Sequence, residues 1–227
     1  MTEVQSLSIC VNASEHVSAL LMVPRDARAC YVLAHGAGAG MHQPFMAAVA
    51  TGLADRGVAT LRYQFPYMQR GSKRPDLPPL AHATVRAAVG EAVRQLPNLA
   101  LIAGGKSFGG RMTSQTQASA ALPNVRGLAF LGFPLHPPKR PSIERAVHLS
   151  KIEVPMLFLQ GTRDELADLS LLGAVIDKLG ARAKLHTFDG ADHAFHVLAR
   201  SGRTDADVLT QILDALAAWI QSVVAAG

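Results

Sequence analysis

The chain has 227 residues, a formal net charge of +5, and 49% hydrophobic against 17% charged residues. That balance excludes a disordered or low-complexity chain, which carries too little apolar surface to offset the entropy of ordering. The length predicts one domain over 1–227 with a sizeable core. With 8 Phe, 3 Tyr and 1 Trp, that core is mostly aliphatic.

Cys10 and Cys30 make neither a disulfide scaffold nor a CxxC metal site, so a reducing, cytoplasmic setting is expected. The opening Met1-Thr2-Glu3-Val4-Gln5 lacks the basic and apolar regions of a signal peptide. No apolar run approaches the roughly 20 residues of a membrane helix. Ile212 to Ala226, broken by Asp214 and Gln221, reads as an amphipathic helix. Arg70, Lys73 and Arg74 share a Pro- and Gly-rich stretch without interleaved aromatics. They read as a solvated loop, and neither a nucleic-acid nor a membrane partner is expected.

In chain order, Leu7–Val11 and His16–Val23 read as two strands of an antiparallel hairpin. Tyr31–Ala34 is a short buried strand ending in His35-Gly36-Ala37-Gly38-Ala39-Gly40. Phe45, Val49 and Leu53 recur at helical spacing, with Gly57 as the stop. Val58–Tyr63 is the next strand. Gln64–Leu80, with Pro66, Pro75, Pro78 and Pro79, is expected to be a loop or turn set rather than a helix. Val85, Val89, Val93 and Leu96 mark a helix halted by Pro97. Leu99–Ala103 is a central strand, followed by a helix from about Ser107 to Ala121. Gly127–Phe133 and Pro155–Gln160 are strands, Leu169–Leu179 is a helix, and Ala183–Phe188 is the last strand. Thr204 and Asp207 form a capping-box start for the final helix. Strands alternating with helices predict an α/β fold with a mostly parallel sheet.

Gly105-Lys106-Ser107-Phe108-Gly109 is a Gly-x-Ser-x-Gly pattern between a strand and a helix. A serine on so sharp a turn projects its hydroxyl above the sheet edge, and side chains two residues to either side would collide with neighbouring elements. A serine hydroxyl needs an adjacent base to act as a nucleophile. In this arrangement the acid and then the histidine follow the serine along the chain. Asp164 and His193 stand just past the carboxyl ends of later strands, on the edge where Ser107 lies. Ser107 is therefore the expected nucleophile, His193 the base and Asp164 the group that orients it. Glu165 is an alternative acid and His196 an alternative base. Asp192 reads as a structural residue bonding backbone amides. His186, Asp192, His193 and His196 do not have a zinc-site spacing, and no metal or cofactor is expected. The amides of Phe108 and Ala37 are the expected oxyanion donors, with Gly38 second to Ala37. A phosphate loop is excluded because Ala100 stands where Gly105-Lys106-Ser107 would need its leading glycine.

Several further segments carry a resemblance. They are His35–Met41, Arg62-Tyr63-Gln64-Phe65-Pro66-Tyr67-Met68, Gly104–Arg111, Gly132-Phe133-Pro134-Leu135-His136-Pro137-Pro138, Gln160–Asp164, Asp189–His193 and Arg200–Thr204. Together they resemble the α/β-hydrolases. The finer likeness is to a small lidless, dienelactone-hydrolase-like branch, similar to testis-expressed protein thirty and to the third subunit of the nonspecific lethal chromatin complex. The resemblance implies an eight-stranded sheet (seven is the alternative), with the second strand antiparallel. It also implies Ser107, Asp164 and His193 as the triad. Dienelactone hydrolases proper use cysteine where this chain has Ser107, so their substrate is not carried over.

Pro134–Leu149 is too short for a multi-helix lid, which leaves an open site. Gly38, Lys106, Arg111, Pro134 and Leu135 are the expected substrate contacts. Arg62, Lys106, Arg111 and Arg163 are expected either to form ion pairs that tie loops together or to favour an anionic ester or thioester. The expected activity is hydrolysis of a small carboxylic ester or thioester. The alternative is a weak or inactive scaffold that binds a small molecule or protein. Mean hydropathy is mildly positive, and either a monomer or a homodimer is compatible with it.

Overall fold

The computed structural model describes residues 2–226. Strands β1 (Val4–Cys10) and β2 (His16–Met22) form an antiparallel hairpin in register from Val4 opposite Met22 to Cys10 opposite His16. Asn12 makes the turn: its Oδ1 accepts from the amides of Ser14 at 2.9 Å and Glu15 at 3.0 Å. β3 (Ala29–Ala34) and β4 (Val58–Tyr63) are buried at every residue, as expected of strands covered on both faces. β5 (Ala100–Lys106), β6 (Val125–Leu131), β7 (Met156–Gly161) and β8 (Ala183–Phe188) complete the sheet. Its eight strands run in the order β1-β2-β4-β3-β5-β6-β7-β8. β1 and β2 pair antiparallel with each other, and β2 with β4, while every other pairing is parallel.

Helices cover both faces. Helix α1 (Pro44–Ala54) and the last helix, α6 (Asp205–Ala225), pack on one face through Met46, Val49, Leu53, Ile212, Leu216 and Trp219. α2 (Pro66–Gln69) is a short helix in a loop. α3 (Pro78–Gln95), α4 (Phe108–Ser119) and α5 (Leu169–Leu179) cover the other face through side chains such as Val85, Met112 and Leu172. By length and composition alone α6 is apolar enough to cross a membrane. Here its apolar stripe lies against the sheet, and each fully buried Ile or Leu on it contributes roughly 1.5–3 kcal/mol. The Thr204–Asp207 capping box is present at its start.

The segment 64–80 departs from expectation. It contains α2 and the first residues of α3, both opened by proline. Proline interrupts a helix only in its interior; at the first position its fixed φ suits the helix and its missing N–H has no partner to lose. Asp76 orders the rest, accepting from the Tyr67 amide at 2.8 Å and from Arg70 at 2.7 Å. Lys73 and Arg74 are exposed. Pro134–Lys151 holds one short 3-10 segment, Glu144–Lys151, and no lid.

Both cysteines are free, Cys10 exposed and Cys30 buried. Burial pushes the Cys30 thiol up to about 12.

Candidate active site

β5 runs between β3 and β6 and delivers Ser107 at its carboxyl end. Ser107 has φ 48° and ψ −113°, in the left-handed half of the map that non-glycine residues seldom occupy. Its amide donates to Leu131 O at 3.1 Å, which pins the turn to β6. The flanking glycines are required by crowding. A Cβ on Gly105 would lie 2.1 Å from Ala34 O, and one on Gly109 would lie 2.6 Å from both Ala34 Cβ and His35 O.

Asp164 follows β7 and His193 follows β8, so all three side chains stand at the same edge of the parallel strands. His193 Nε2 lies 2.8 Å from Ser107 Oγ, and His193 Nδ1 lies 2.6 Å from Asp164 Oδ2. The buried Asp164 carboxylate also accepts from the Leu166 amide at 2.8 Å and from Gln160 Nε2 at 2.5 Å. A carboxylate accepts only, so Nδ1 carries the proton and Nε2 is left as an acceptor facing the serine hydroxyl. Ser107, Asp164 and His193 thus form one continuous relay. Glu165 is exposed, and His196 pairs with Asp205 at 2.5 Å, apart from the relay.

The histidine loop is held from two sides. Asp192 Oδ1 accepts from the amides of Ala194 at 2.8 Å and His196 at 2.9 Å, a structural use of that carboxylate. Lys106 Nζ donates to the His193 carbonyl and sits 5.2 Å from the Phe195 ring centroid. Burial pushes the Lys106 ammonium down to about 8, against the attraction of Asp164 and Asp192. His186, Asp192, His193 and His196 do not converge. Among the described residues no group of three His, Cys, Asp or Glu side chains is arranged to hold a metal.

The loop after β3 passes beside the serine, with Gly36 next to Lys106 and Ser107. Gly38 N–H donates to Tyr67 Oη at 3.1 Å and is thereby occupied. Among the described residues neither the Ala37 nor the Phe108 amide donates to another protein group. His35 fixes the start of this loop: Nδ1–H donates to Gly36 O at 2.8 Å and Nε2 accepts from the Phe65 amide at 3.0 Å. Burial pushes His35 down to about 4, so the ring is neutral in that tautomer.

A cleft of about 770 Å³ opens over Ser107 and His193. It runs between the amino ends of α1 and α6, where Pro44, Phe45, Phe195 and Leu209 form apolar walls. Phe45 and Phe195 stack with centroids 5.7 Å apart. Ala37 and Lys106 line the cleft, whereas Gly38, Arg111, Pro134 and Leu135 do not. Leu135 is fully buried in the core. Arg62 and Arg163 donate to the carbonyls of Met41 and Gly190, and neither makes an ion pair among the described residues.

Two features escaped sequence reasoning. Gln160 is one, and its signal was a polar side chain closing an otherwise apolar strand run. The α1–α6 wall is the other. It joins segments more than 140 residues apart, and no local pattern reveals such a pairing.

The fold has counterparts among known proteins. Residues 27–221 match the family described as alpha/beta hydrolase domain. A dienelactone hydrolase from Anabaena variabilis superposes with a TM-score of 0.76 at 19% identity, covering 97% of this chain and 98% of its own. The esterase domain of a Rhodothermus marinus protein gives 0.74 at 17% identity, covering 98% and 99%. A lidless α/β serine hydrolase from Xanthomonas campestris gives 0.73 at 19% identity, covering 96% of each. At these identities the superpositions speak for the fold, while the family match spans most of the chain. The chain belongs to the alpha/beta hydrolase domain family.

Proposed function

We propose that the protein is a serine hydrolase that cleaves carboxylic esters or thioesters through an acyl-enzyme on Ser107. The observation that carries this reading is the continuous relay of Ser107 Oγ, His193 and Asp164 at the floor of an open cleft. His193 Nε2 takes the hydroxyl proton as Ser107 Oγ attacks the carbonyl carbon, and Asp164 stabilises the resulting imidazolium. The amides of Ala37 and Phe108 receive the developing oxyanion, and donors of this kind supply several kcal/mol of transition-state stabilisation. His193 returns the proton to the leaving alcohol or thiol. Water then repeats the sequence against the acyl-enzyme, with His193 again as base, and releases the acid. The apolar walls of the cleft favour a substrate with an apolar acyl or alcohol portion. That similar folds include an esterase domain and a serine hydrolase supports the same reading.

The test is pre-steady-state hydrolysis of p-nitrophenyl acetate and butyrate, together with an acyl thioester, by the wild type and Ser107→Ala. A burst of one product per site is expected in the wild type. The substitution should remove the burst and lower kcat/KM by about a thousandfold or more. Turnover that survives in Ser107→Ala would overturn the assignment.

A further inference from the structure

Helix α4 packs against α3 and against the 3-10 segment Glu144–Lys151, which makes a seam along α4. Arg111 on the first turn of α4 and Arg145 on the 3-10 segment are both half-buried there. Other arginines drawn in from solvent find protein partners. Arg56 bonds Asp214, Arg62 the Met41 carbonyl, Arg86 the Thr116 carbonyl, Arg182 the Ile152 carbonyl and Arg203 Gln211. Among the described residues, Arg111 and Arg145 are the non-exposed arginines whose side chains make no hydrogen bond and no ion pair. The Arg111 Nε is fully buried without an acceptor.

The same seam gathers two histidines. His148 Nε2 lies 2.8 Å from Ser114 Oγ, and His82 Nε2 lies 3.2 Å from Gln115 Oε1. The two guanidinium groups repel one another, and they disfavour protonation of the histidines. Burial first, and then Arg145, lowers the Arg111 pKa. Burial, then Arg111 and His82, push His148 down to about 4. Burial lowers His82 as well; the Gln115 hydrogen bond opposes this, and Arg86 and Arg111 add to it. No carboxylate enters any of these balances. A withdrawn guanidinium facing a second guanidinium is unfavourable in the protein alone. The stacking of Arg111 over Phe108, 6.0 Å from guanidinium carbon to ring centroid, leaves its N–H donors without acceptors.

An oxyanion reverses that balance, because two planar guanidinium forks match the geometry of a carboxylate or phosphate. Helical side chains lean toward the amino end of their helix, which here carries Ser107 one turn away. We propose that Arg111 and Arg145, flanked by His82 and His148, form an oxyanion-binding site for a carboxylate or phosphate group, adjoining the nucleophile turn. This site is separate from the apolar cleft.

The test is calorimetric titration with inorganic phosphate against a chloride control of equal ionic strength. It needs no turnover, so it stands whether or not ester hydrolysis is found. Saturable binding is expected in the wild type. Arg111→Gln and Arg145→Gln should each weaken it by about tenfold, the worth of one hydrogen bond to a charged group. Arg126→Gln removes the same charge from an exposed position on β6 and should leave the affinity unchanged. If Arg111→Gln does not fold, Arg145→Gln carries the comparison. Phosphate that also competes with a neutral aryl ester identifies the site as the seat of a substrate's anionic group. Phosphate that binds without inhibiting identifies a site for a separate anion. Absence of saturable binding, or wild-type affinity in both arginine variants, overturns the proposal.

Discussion

Gln160 holds Asp164 from within β7: its Nε2 donates to Asp164 Oδ2 at 2.5 Å, while its Oε1 accepts from the Phe133 amide at 2.9 Å. The side chain is fully buried, so both bonds form away from water. The end of β6 and the relay acid are thus tied to one amide group. Gln160→Met keeps the volume and removes both bonds. The expected result is a loss of about 1–3 kcal/mol of stability from the orphaned Phe133 amide. The proposed hydrolysis should also show a lower kcat with KM nearly unchanged, since the residue touches Asp164 and not the cleft. Chemical denaturation and steady-state kinetics check the two parts separately.

The Ser107 turn and helix α3 make opposite predictions for the same glycine-to-alanine change. A Cβ on Gly105 meets backbone at 2.1 Å, and its φ of +146° is strained for any side chain. Gly105→Ala should cost about 3 kcal/mol or more. A Cβ on Gly90 meets nothing within 4 Å in the interior of α3. Gly90→Ala should stabilise by about 0.5–1 kcal/mol. Urea midpoints of the two variants against the wild type decide the matter, and equal shifts would contradict it.

Acid should weaken the fold through His35. Its folded pKa of about 4 lies below the ordinary 6.5, so the unfolded chain takes up a proton first as pH falls. The stability tied to the neutral ring is fully present above 6.5 and is lost as pH drops toward 4. The gap corresponds to about 3 kcal/mol. His148, also pushed down to about 4, adds to the same slope. His35→Gln should therefore flatten the pH dependence of unfolding free energy between 6.5 and 4 without abolishing it. An unchanged slope would show that His35 does not carry this share.

The elements and the site differed in how much of them could be read from the chain. Leu169–Leu179 and Ala183–Phe188 have the expected bounds: the helix buries one face through Leu172, Val175 and Leu179, and the strand runs between turn residues on either side. The order of Ser107, Asp164 and His193 was legible because each follows a strand of one parallel sheet, and parallel strands bring their ends to one edge. The start of α3 differs from the expected loop because Pro78 and Pro79 stand at its opening, where proline does not break a helix. The cleft was harder. Pro134 and Leu135 stand in a motif-like segment, yet Leu135 is core, whereas Phe45 and Leu209 form the wall with no motif of their own. Which loop faces which across a sheet edge depends on strand order, and strand order is not a local property. Arg62 and Arg163 illustrate the same limit: their partners are carbonyls of distant loops, which no charge pattern announces.

In the proposed reaction, the missing lid bears on what becomes of an acyl group carried by Ser107. With only the short segment Glu144–Lys151 where a covering domain could stand, the cleft is open to bulk solvent. Water is then always the most abundant acceptor at the ester carbon. An enzyme built this way partitions toward release of the free acid, and it hands the acyl group to a second alcohol only where that alcohol is itself held in the cleft.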